Sequence, residues 1–417
     1  MAIIRAAFLL FFSIVSCGVA LNAISNFTAS ASPETSLQLN PLNLRARLRH
    51  VRQMLAPPNV SDESRAQAEE IATRGLRLEP FDARLYALAG FAKEDQKAAT
   101  TQAYYQHALR LLPIERLALI QRLVHHIDNG QPKESVDLLE MFFVRWRDQW
   151  SAMAPLIPAI ATDETAYDAL VERFVTRPGG LYGLVTPLAR EAQTLPVAER
   201  LVRDAYRRSG VNVRRSANYT VEKLFAAGEP RRAYFLFLQT LSDVEKEEAG
   251  YVYNGSFDLV PNRNRFDWTM RNQGGTNVRR VSRSVPADDP SQAKLANSAE
   301  ISFLNTPVNF RGLSQYLYLP PGPFELSLTH STRGFKSPKP FTLEVRCVQG
   351  TRRISSVEIQ QGDAREKTVT TAFSVPVRNC GLQQITFRTD PIVESWRNRF
   401  SGTVLVHDVS LRLVTQQ

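Results

Sequence analysis

The chain has 417 residues, of which 43% are hydrophobic and 22% charged, an ordinary composition for globular protein. This length exceeds what a single hydrophobic core usually serves, so we expect two or three folded units. The net charge of +10 lies mostly in residues 251–417, which hold 21 Lys and Arg against 13 Asp and Glu. Such an excess favours an anionic partner, and the alternative is a solvated basic face. Because the arginines are scattered and the chain is predicted to be exported, nucleic acid is not expected.

The N-terminus carries a targeting signal. Residues 6–24, AAFLLFFSIVSCGVALNAI, contain no ionisable group except Cys17, and at about 1.5 Å per residue they are just long enough to cross a bilayer core. We assign residues 1–24 to a signal or membrane anchor, with three fates open. The segment stays as an anchor held by Arg5, it is cleaved after Ala20, or Cys17 is lipidated, because its context Ile-Val-Ser-Cys resembles the bacterial lipobox. Each fate takes the rest of the chain out of the cytoplasm.

A linker and a helical region follow. Residues 25–43 are rich in Ser, Thr, Asn and Pro, which predicts a linker. From residue 44 to residue 249, apolar residues recur at steps of three and four, the pattern of amphipathic helices. Two segments, AEEIATRGLRLEP (68–80) and TQAYYQHALRLLP (101–113), align without gaps. The helical region is therefore predicted to be internally repeated.

The repeat has further copies and a known relative. Weaker copies contain Ser135, 34 residues after Thr101, and Ala233. The pattern resembles the tetratricopeptide repeat, whose period is 34 residues and whose second helix ends in a Leu-x-Leu-x-Pro segment. The resemblance implies stacked helix pairs with a concave surface, which docks a protein partner or, alternatively, serves only as a spacer.

The sequence pattern changes from helical to strand-like at Tyr251. Short alternating apolar segments, separated by Pro, Gly, Asn and Asp turns, predict an antiparallel β-sandwich over residues 250–417. The predicted strands are 298–305, two within 314–331, 341–350, 368–377, 381–389 and 402–414. The fold class is thus an all-α helical solenoid followed by an all-β sandwich.

Three motifs of this region resemble one family. NGSFD (254–258) followed by FDW (266–268) resembles the first strand of galactose-binding-like carbohydrate-binding modules. VHDVSLRL (406–413) is similar to their last strand, and LYLPPGPFELSLTHS (317–331) to their strand, Pro-Gly turn and next strand. The resemblance implies a jelly roll that contacts carbohydrate. It also implies a structural calcium as the one candidate cofactor, with Asp408, Asn254 and Asp258 as candidate ligands.

The candidate sugar-binding residues are aromatic or basic. Flat aromatic rings stack on sugar faces, and Trp396 lies in a polar segment beside Arg397 and Arg399. Trp268 is a second candidate, although its spacing from Phe266 equally fits a core strand. Tyr316 and Tyr318 are further candidates, and since they alternate with leucines, only one of the two sets faces the core.

Cysteine and histidine usage bounds the chemistry. Cys347 and Cys380 are predicted to form a disulfide in an oxidising compartment, with two buried thiols as the alternative. The six histidines show no metal-ligand spacing, and no nucleophile elbow, phosphate loop or dinucleotide motif occurs. We therefore predict a protein that is not an enzyme, with a glycan lyase or hydrolase as the less favoured reading.

The order of anchor, repeats and sandwich resembles membrane-tethered accessory proteins of bacterial exopolysaccharide or capsule production. It implies an inner-membrane anchor with a periplasmic body, the alternatives being a secreted protein or a lipoprotein. The expected partners are a polysaccharide, which could be acidic, and a protein of the synthesis or export machinery. The competing reading is an assembly scaffold whose sandwich is purely structural.

Overall fold

A computed structural model describes the chain over residues 2–93, 98–175, 179–209, 213–262, 264–285, 294–389 and 398–414. Its α-helices, in chain order, are α1 (Ala2–Thr28), α2 (Pro33–Leu39), α3 (Leu44–Met54), α4 (Asp62–Leu78), α5 (Ala83–Ala92), α6 (Ala99–Leu111), α7 (Arg116–Asp128), α8 (Pro132–Arg145), α9 (Ile157–Ile160), α10 (Glu164–Val175), α11 (Gly180–Leu188), α12 (Leu195–Ser209), α13 (Arg214–Ala226), α14 (Pro230–Gln239) and α15 (Asp243–Glu247). A 3₁₀ helix, Arg147–Leu156, connects α8 to α9. None of the helices in the described ranges has both the length and the apolar content needed to cross a membrane.

The repeated sequence segments occupy equivalent helices. The first two copies form α4 and α6, which end two residues before Pro80 and Pro113 respectively, as expected because proline cannot continue a helix. The small residue that starts each copy is buried in all four, as Ala68, Thr101, Ser135 and Ala233. Successive helices contact each other from α3 to α7. The same helix face is thus buried in each unit, as stacking of repeated helix pairs requires.

Residues 25–43, for which the sequence predicts a linker, contain α2 and a buried polar cluster of Ser25, Ser36 and Asn43. The Ser25 hydroxyl donates to the Ser36 carbonyl at 2.9 Å, and Asn43 Nδ2 donates to Ser25 Oγ at 2.8 Å. Asn43 Oδ1 in turn accepts from the Ala46 amide at 3.1 Å and caps α3. The polar composition that suggests a linker is used here to tie α1 and α2 to α3.

The C-terminal part forms ten strands in two sheets. The strands are β1 (Thr269–Met270), β2 (Thr276–Val285), β3 (Lys294–Thr306), β4 (Leu313–Leu317), β5 (Gly322–Lys336), β6 (Phe341–Cys347), β7 (Arg353–Glu358), β8 (Gly362–Val375), β9 (Gln383–Thr389) and β10 (Phe400–Leu413). Sheet A has the order β1-β4-β9-β6-β7 and sheet B the order β2-β3-β10-β5-β8, with every pairing antiparallel. This arrangement confirms the predicted helical region followed by an antiparallel sandwich.

The inner faces of the two sheets enclose one apolar core. Alternate residues of each strand point inward, as in β5, where Phe324, Leu326 and Leu328 are fully buried. Cys347 at the end of β6 and Cys380 before β9 form a disulfide with a Cα–Cα distance of 4.8 Å. A cross-link across a loop of this length stabilises a fold by about 3–4 kcal/mol in the chain-entropy account.

The chain divides into two compact units, Met1–Phe174 and Val175–Gln417. The second unit therefore contains α11 to α15 together with the whole sandwich. Its helices and strands meet at Phe266, which is buried between Phe225, Tyr234 and Phe237 with ring centroids 5.1 to 6.1 Å away. The last helix pair and the sandwich consequently share one apolar interface.

Candidate functional site

The Asn254-Gly255 turn joins the start of the sandwich to its last strand. Asn254 has a φ of 52°, and its side chain accepts from the Leu259 amide at 2.9 Å and donates to the Leu259 carbonyl at 3.0 Å. The Gly255 carbonyl accepts from the Val409 amide in β10 at 3.1 Å. A Cβ on Gly255 would meet the Val409 carbonyl oxygen at van der Waals overlap, so only glycine fits this approach. The Asn254-Gly255 pair, part of the motif that resembles carbohydrate-binding modules, thus holds the start of the sandwich against β10.

Trp268 is part of the core. It is 1% exposed, and its ring centroid lies 5.1 Å from that of Phe257. Its indole nitrogen donates to the Asn254 carbonyl at 2.9 Å, which satisfies its one polar atom. Because neither face of its ring is open to solvent, Trp268 packs in the core in this conformation and is not available to stack on a sugar.

The three candidate calcium ligands have other roles. The side-chain amide of Asn254 forms hydrogen bonds with the Leu259 backbone. Asp258 is exposed and accepts from Asn297 Nδ2 at 2.9 Å. Asp408 lies in β10, where burial raises its pKa above the usual range. In the part of the chain that the structure describes, no three His, Cys, Asp or Glu side chains are grouped to hold a metal.

Tyr316 and Tyr318 point away from the sandwich core, toward the helices of their own unit. The Tyr316 ring lies 4.9 Å from that of Phe225, and the Tyr318 ring 5.5 Å from that of Tyr234. Beside them, Arg265 Nε donates to Glu222 at 2.8 Å. These tyrosines pack against α13 and α14, which cover this end of the outer face of sheet A.

The remaining candidate platform is only partly described. Trp396 and Arg397 lie outside the described residues, so their stacking role stays a prediction. Arg399 is exposed immediately before β10. Cys17, the candidate lipidation residue, is an exposed free thiol in α1.

The open part of sheet A carries a charged cluster that we did not predict. Glu344 lies on β6 between the buried Leu343 and Val345, so its side chain faces away from the core. Its carboxylate accepts from Arg346 Nε at 2.6 Å and from Arg353 Nη1 at 3.1 Å, and Arg388 Nη1 lies 3.6 Å away. We call these four residues the arginine cluster.

The carboxylate of the arginine cluster is buried by its partners rather than by the core. The Glu344 side chain is 1% exposed, while those of Arg346 and Arg353 are 33% and 55% exposed. Burial alone would raise the pKa of Glu344, but the hydrogen bonds from Arg346 and Arg353 outweigh it and hold that pKa below its usual range. The four residues together carry two more positive than negative charges, and Glu358, two residues after Ser356 on the same side of β7, adds one negative charge to this face.

The surroundings of the arginine cluster are polar. Across the register, Glu344 pairs with Thr386 on β9 and Ser356 on β7, and Arg346 pairs with Gln384. These hydroxyl and amide groups lie on the same outer face. The face thus combines charged donors with neutral hydrogen-bonding groups and can bind an anionic, hydroxyl-rich ligand. The alternation in FTLEVRC (341–347) predicts that Glu344 and Arg346 share one face of β6. It does not predict that Arg353 and Arg388 approach Glu344, because that depends on the register of the neighbouring strands.

His407 forms a separate polar link in sheet B. Its Nδ1 lies 2.9 Å from Ser298 Oγ and its Nε2 2.7 Å from Ser331 Oγ. The Ser331 oxygen accepts from the Glu366 amide at 3.0 Å, which leaves its own proton for His407. Burial, with the charge of Arg283, lowers the pKa of His407 to about 4. A neutral imidazole therefore joins β3 to β5 across β10.

In the first unit, a cavity of about 610 Å³ opens between α3, α5, α7 and α8. Its lining is mostly apolar and includes Leu55, Leu88, Phe91, Leu112, Ile114, Leu117, Ile120, Phe142, Trp146 and Met153. We call it the apolar cavity. A cavity of this lining suits an apolar side chain of a partner.

We expect the contribution of His407 to the stability of the sandwich to be lost as the pH falls from 6.5 to about 4, because His407 takes up a proton in the unfolded chain before it does so in the folded one. The full shift corresponds to roughly 3 kcal/mol. Urea unfolding followed by circular dichroism at several pH values measures it. His407→Gln should flatten this part of the profile, and His50→Gln in α3 should not. Parallel profiles for the wild type and His407→Gln would contradict the assignment.

No protein-family model and no curated protein matches the chain. Among solved structures, the module TmCBM61 in complex with β-1,4-galactotriose is 18% identical over 40% of this chain and 99% of that one, with a TM-score of 0.26. The carbohydrate-binding module of Cellvibrio mixtus lichenase 5A, in complex with cellotriose, is 9% identical over 36% of this chain and 93% of that one, with a TM-score of 0.21. The enzymatically active domain of bacteriophage CBA120 tailspike protein 4 is 18% identical over 39% of this chain, with a TM-score of 0.25, and only 21% of that chain is covered.

Proposed function

We propose that this protein binds an acidic glycan through the outer face of its sandwich, as a non-enzymatic accessory protein of polysaccharide biosynthesis or export. The arginine cluster is the observation that carries the proposal. It places three guanidinium groups and one carboxylate on a sheet face, beside neutral hydrogen-bonding groups and the carboxylate of Glu358, in the part of the chain where basic residues outnumber acidic ones. Uronic acid carboxylates and sugar hydroxyls are the groups that such a face recognises.

The arginines of the cluster keep donors for a ligand. Arg346 uses Nε on Glu344 and Nη1 on the Thr351 carbonyl, and Arg353 uses Nη1 on Glu344. A guanidinium group has five N–H donors. These side chains are 33% and 55% exposed, and their bonds to Glu344 hold them in position. A carboxylate that binds them does not have to order the side chains first, which favours binding.

The proposed glycan path is bounded on one side. The helices α13 and α14 cover the outer face of sheet A at Tyr316 and Tyr318. The open part of the face comprises the outward side chains of β9, β6 and β7. A chain of sugars would therefore run along these three strands and not across the whole sheet.

The proposed location is the periplasmic side of the inner membrane. It rests on the apolar residues 6–24 and on the oxidisable pair Cys347 and Cys380, which form a disulfide. A retained anchor, cleavage and lipidation at Cys17 remain the three fates of the N-terminus. Reaction of introduced surface cysteines with a reagent that does not cross the inner membrane tests the orientation, and lack of labelling in intact spheroplasts would contradict it.

We expect Arg346→Gln with Arg353→Gln to weaken binding of the full chain to polygalacturonate or alginate about tenfold or more, because each lost charge-assisted hydrogen bond contributes about 1.5–3 kcal/mol. Affinity electrophoresis measures it, with dextran as the neutral glycan. The matched control, Arg365→Gln with Arg412→Gln, removes the same charge from strands of sheet B and should have little effect.

An equal loss in both double variants would mean that only the net charge attracts the polysaccharide. Absence of binding to any acidic glycan by the wild type would contradict the proposed function.

A second proposed function is docking of a protein partner by the helical repeats, and the apolar cavity favours it. Leu112 lines this cavity and is 40% exposed, whereas Leu78, the last residue of α4, is 49% exposed and is not among the residues that line it. Photo-crosslinking in the cell should capture a partner that Leu112→Asp loses and Leu78→Asp keeps. If both variants captured the partner equally, docking at the apolar cavity would be contradicted. The repeats would then serve as a spacer, and the sandwich would be the remaining functional part.

A further inference from the structure

A second cavity, of about 860 Å³, lies in the first unit where the end of α1 meets α3 and α5. Its lining is dominated by two residue types, with Asn22, Asn26, Asn40, Asn43, Arg45, Arg49, Arg52 and Arg84 as members. Among the residues that the structure describes, no Asp, Glu or aromatic side chain lines it. We call it the arginine cavity. It shares Arg52 and Arg84 with the apolar cavity, so the two are neighbours.

The positive charge of the arginine cavity comes mainly from one helix face. Arg45, Arg49 and Arg52 follow each other at steps of four and three along α3, which brings them to the same side. The sequence of α3, LRARLRHVRQM, contains no acidic residue. Like charges at this spacing destabilise a helix. Three exposed arginines on one face are therefore a cost to the helix that a bound anion would remove.

The charge is only partly compensated by neighbours. Arg84 pairs with Asp82 at 2.5 Å, and Arg45 donates to the Ser30 hydroxyl at 3.1 Å. Among the described salt bridges, none includes Arg49 or Arg52, the two central members. Arg52 is close enough to Glu115 for their charges to interact, but Glu115 lines the apolar cavity and its carboxylate accepts from the Ala118 amide. The arginine cavity thus has a net positive charge at its centre.

The walls of the arginine cavity are held in place by hydrogen bonds. Asn40 Nδ2 donates to Asn22 Oδ1 at 2.9 Å, and Asn43 Nδ2 donates to Asn26 Oδ1 at 3.1 Å. Asn43 also belongs to the buried polar cluster that ties α1 to α3. The amide groups that line the cavity are therefore in place before a ligand binds, which lowers the cost of binding.

We propose that the arginine cavity binds a phosphoester that carries hydroxyl groups. Guanidinium groups match phosphate oxygens in charge and geometry, and amide side chains match hydroxyl groups. The lack of an aromatic lining residue disfavours a nucleobase or a stacked sugar ring. This chemistry has two sources, the phosphoglycerol headgroup of a lipid and a soluble sugar or glycerol phosphate. The site is distinct from the proposed glycan face and does not depend on it.

Calorimetric titration of the full chain, in a neutral detergent, with glycerol 3-phosphate, inorganic phosphate and glycerol tests the proposal. We expect saturable binding of the two phosphates and none of glycerol. Arg49→Gln with Arg52→Gln should weaken binding about tenfold or more. Arg49→Lys with Arg52→Lys should give a smaller loss, since charge is kept and the paired donors are lost. The control Arg77→Gln, on the exposed surface of α4, should bind as the wild type does.

Flotation with vesicles separates the two sources. Tighter binding to phosphatidylcholine vesicles that contain phosphatidylglycerol than to phosphatidylcholine alone, lost in Arg49→Gln with Arg52→Gln, identifies the lipid headgroup. Binding of glycerol 3-phosphate without this gain identifies a soluble phosphoester. The proposal would be overturned if neither phosphate bound. It would also be overturned if the wild type and the double Gln variant bound phosphate and vesicles with equal affinity. Tight binding of an acidic peptide that glycerol 3-phosphate cannot displace would overturn it as well.

Discussion

The packing of Phe266 against the last helix pair is the contact on which the architecture of the second unit depends. Phe266 is 1% exposed and lies among Phe225, Tyr234 and Phe237, while Arg265 pairs with Glu222 at the edge of this contact. A solenoid of helix pairs must cover the apolar face of its final pair. Here the sandwich provides that cover. The sandwich therefore covers the α13–α14 helix pair and is also a domain with its own core.

This contact also divides the outer face of sheet A. The part near β4 is closed because Tyr316 and Tyr318 pack against helices, and the part formed by β9, β6 and β7 remains open. The open part holds the arginine cluster, in which a buried carboxylate orients three guanidinium groups. The covering helices belong to the same compact unit as the sandwich. This contact links the structure to the proposed function, because α13 and α14 limit which strands of sheet A a glycan would reach.

Much of the fold could be predicted from the sequence, and the failures have physical causes. The alternating apolar strands were predictable, but β2 and β7 were not, because polar residues occupy inner positions there, Arg280 and Ser282 in β2 and Ser355 in β7, and interrupt the apolar alternation. Periodicity placed Phe266 and Trp268 on one side of a strand, yet it could not tell that the first meets helices and the second the sandwich core. The arginine cluster was missed because Glu344, Arg353 and Arg388 come from three strands, and only their register brings them together.

The most direct measurement compares the stability of residues 175–417 with that of residues 250–417, by urea unfolding. If the helices and the sandwich share one interface through Phe266, the longer fragment unfolds in one transition, and the shorter one is less stable by about 3 kcal/mol or more, the cost of exposing several buried aromatic side chains. Equal stability of the two fragments, with an unchanged sandwich in the shorter one, would contradict the account. The helices would then be an appendage, and the whole outer face of sheet A would be open to a ligand.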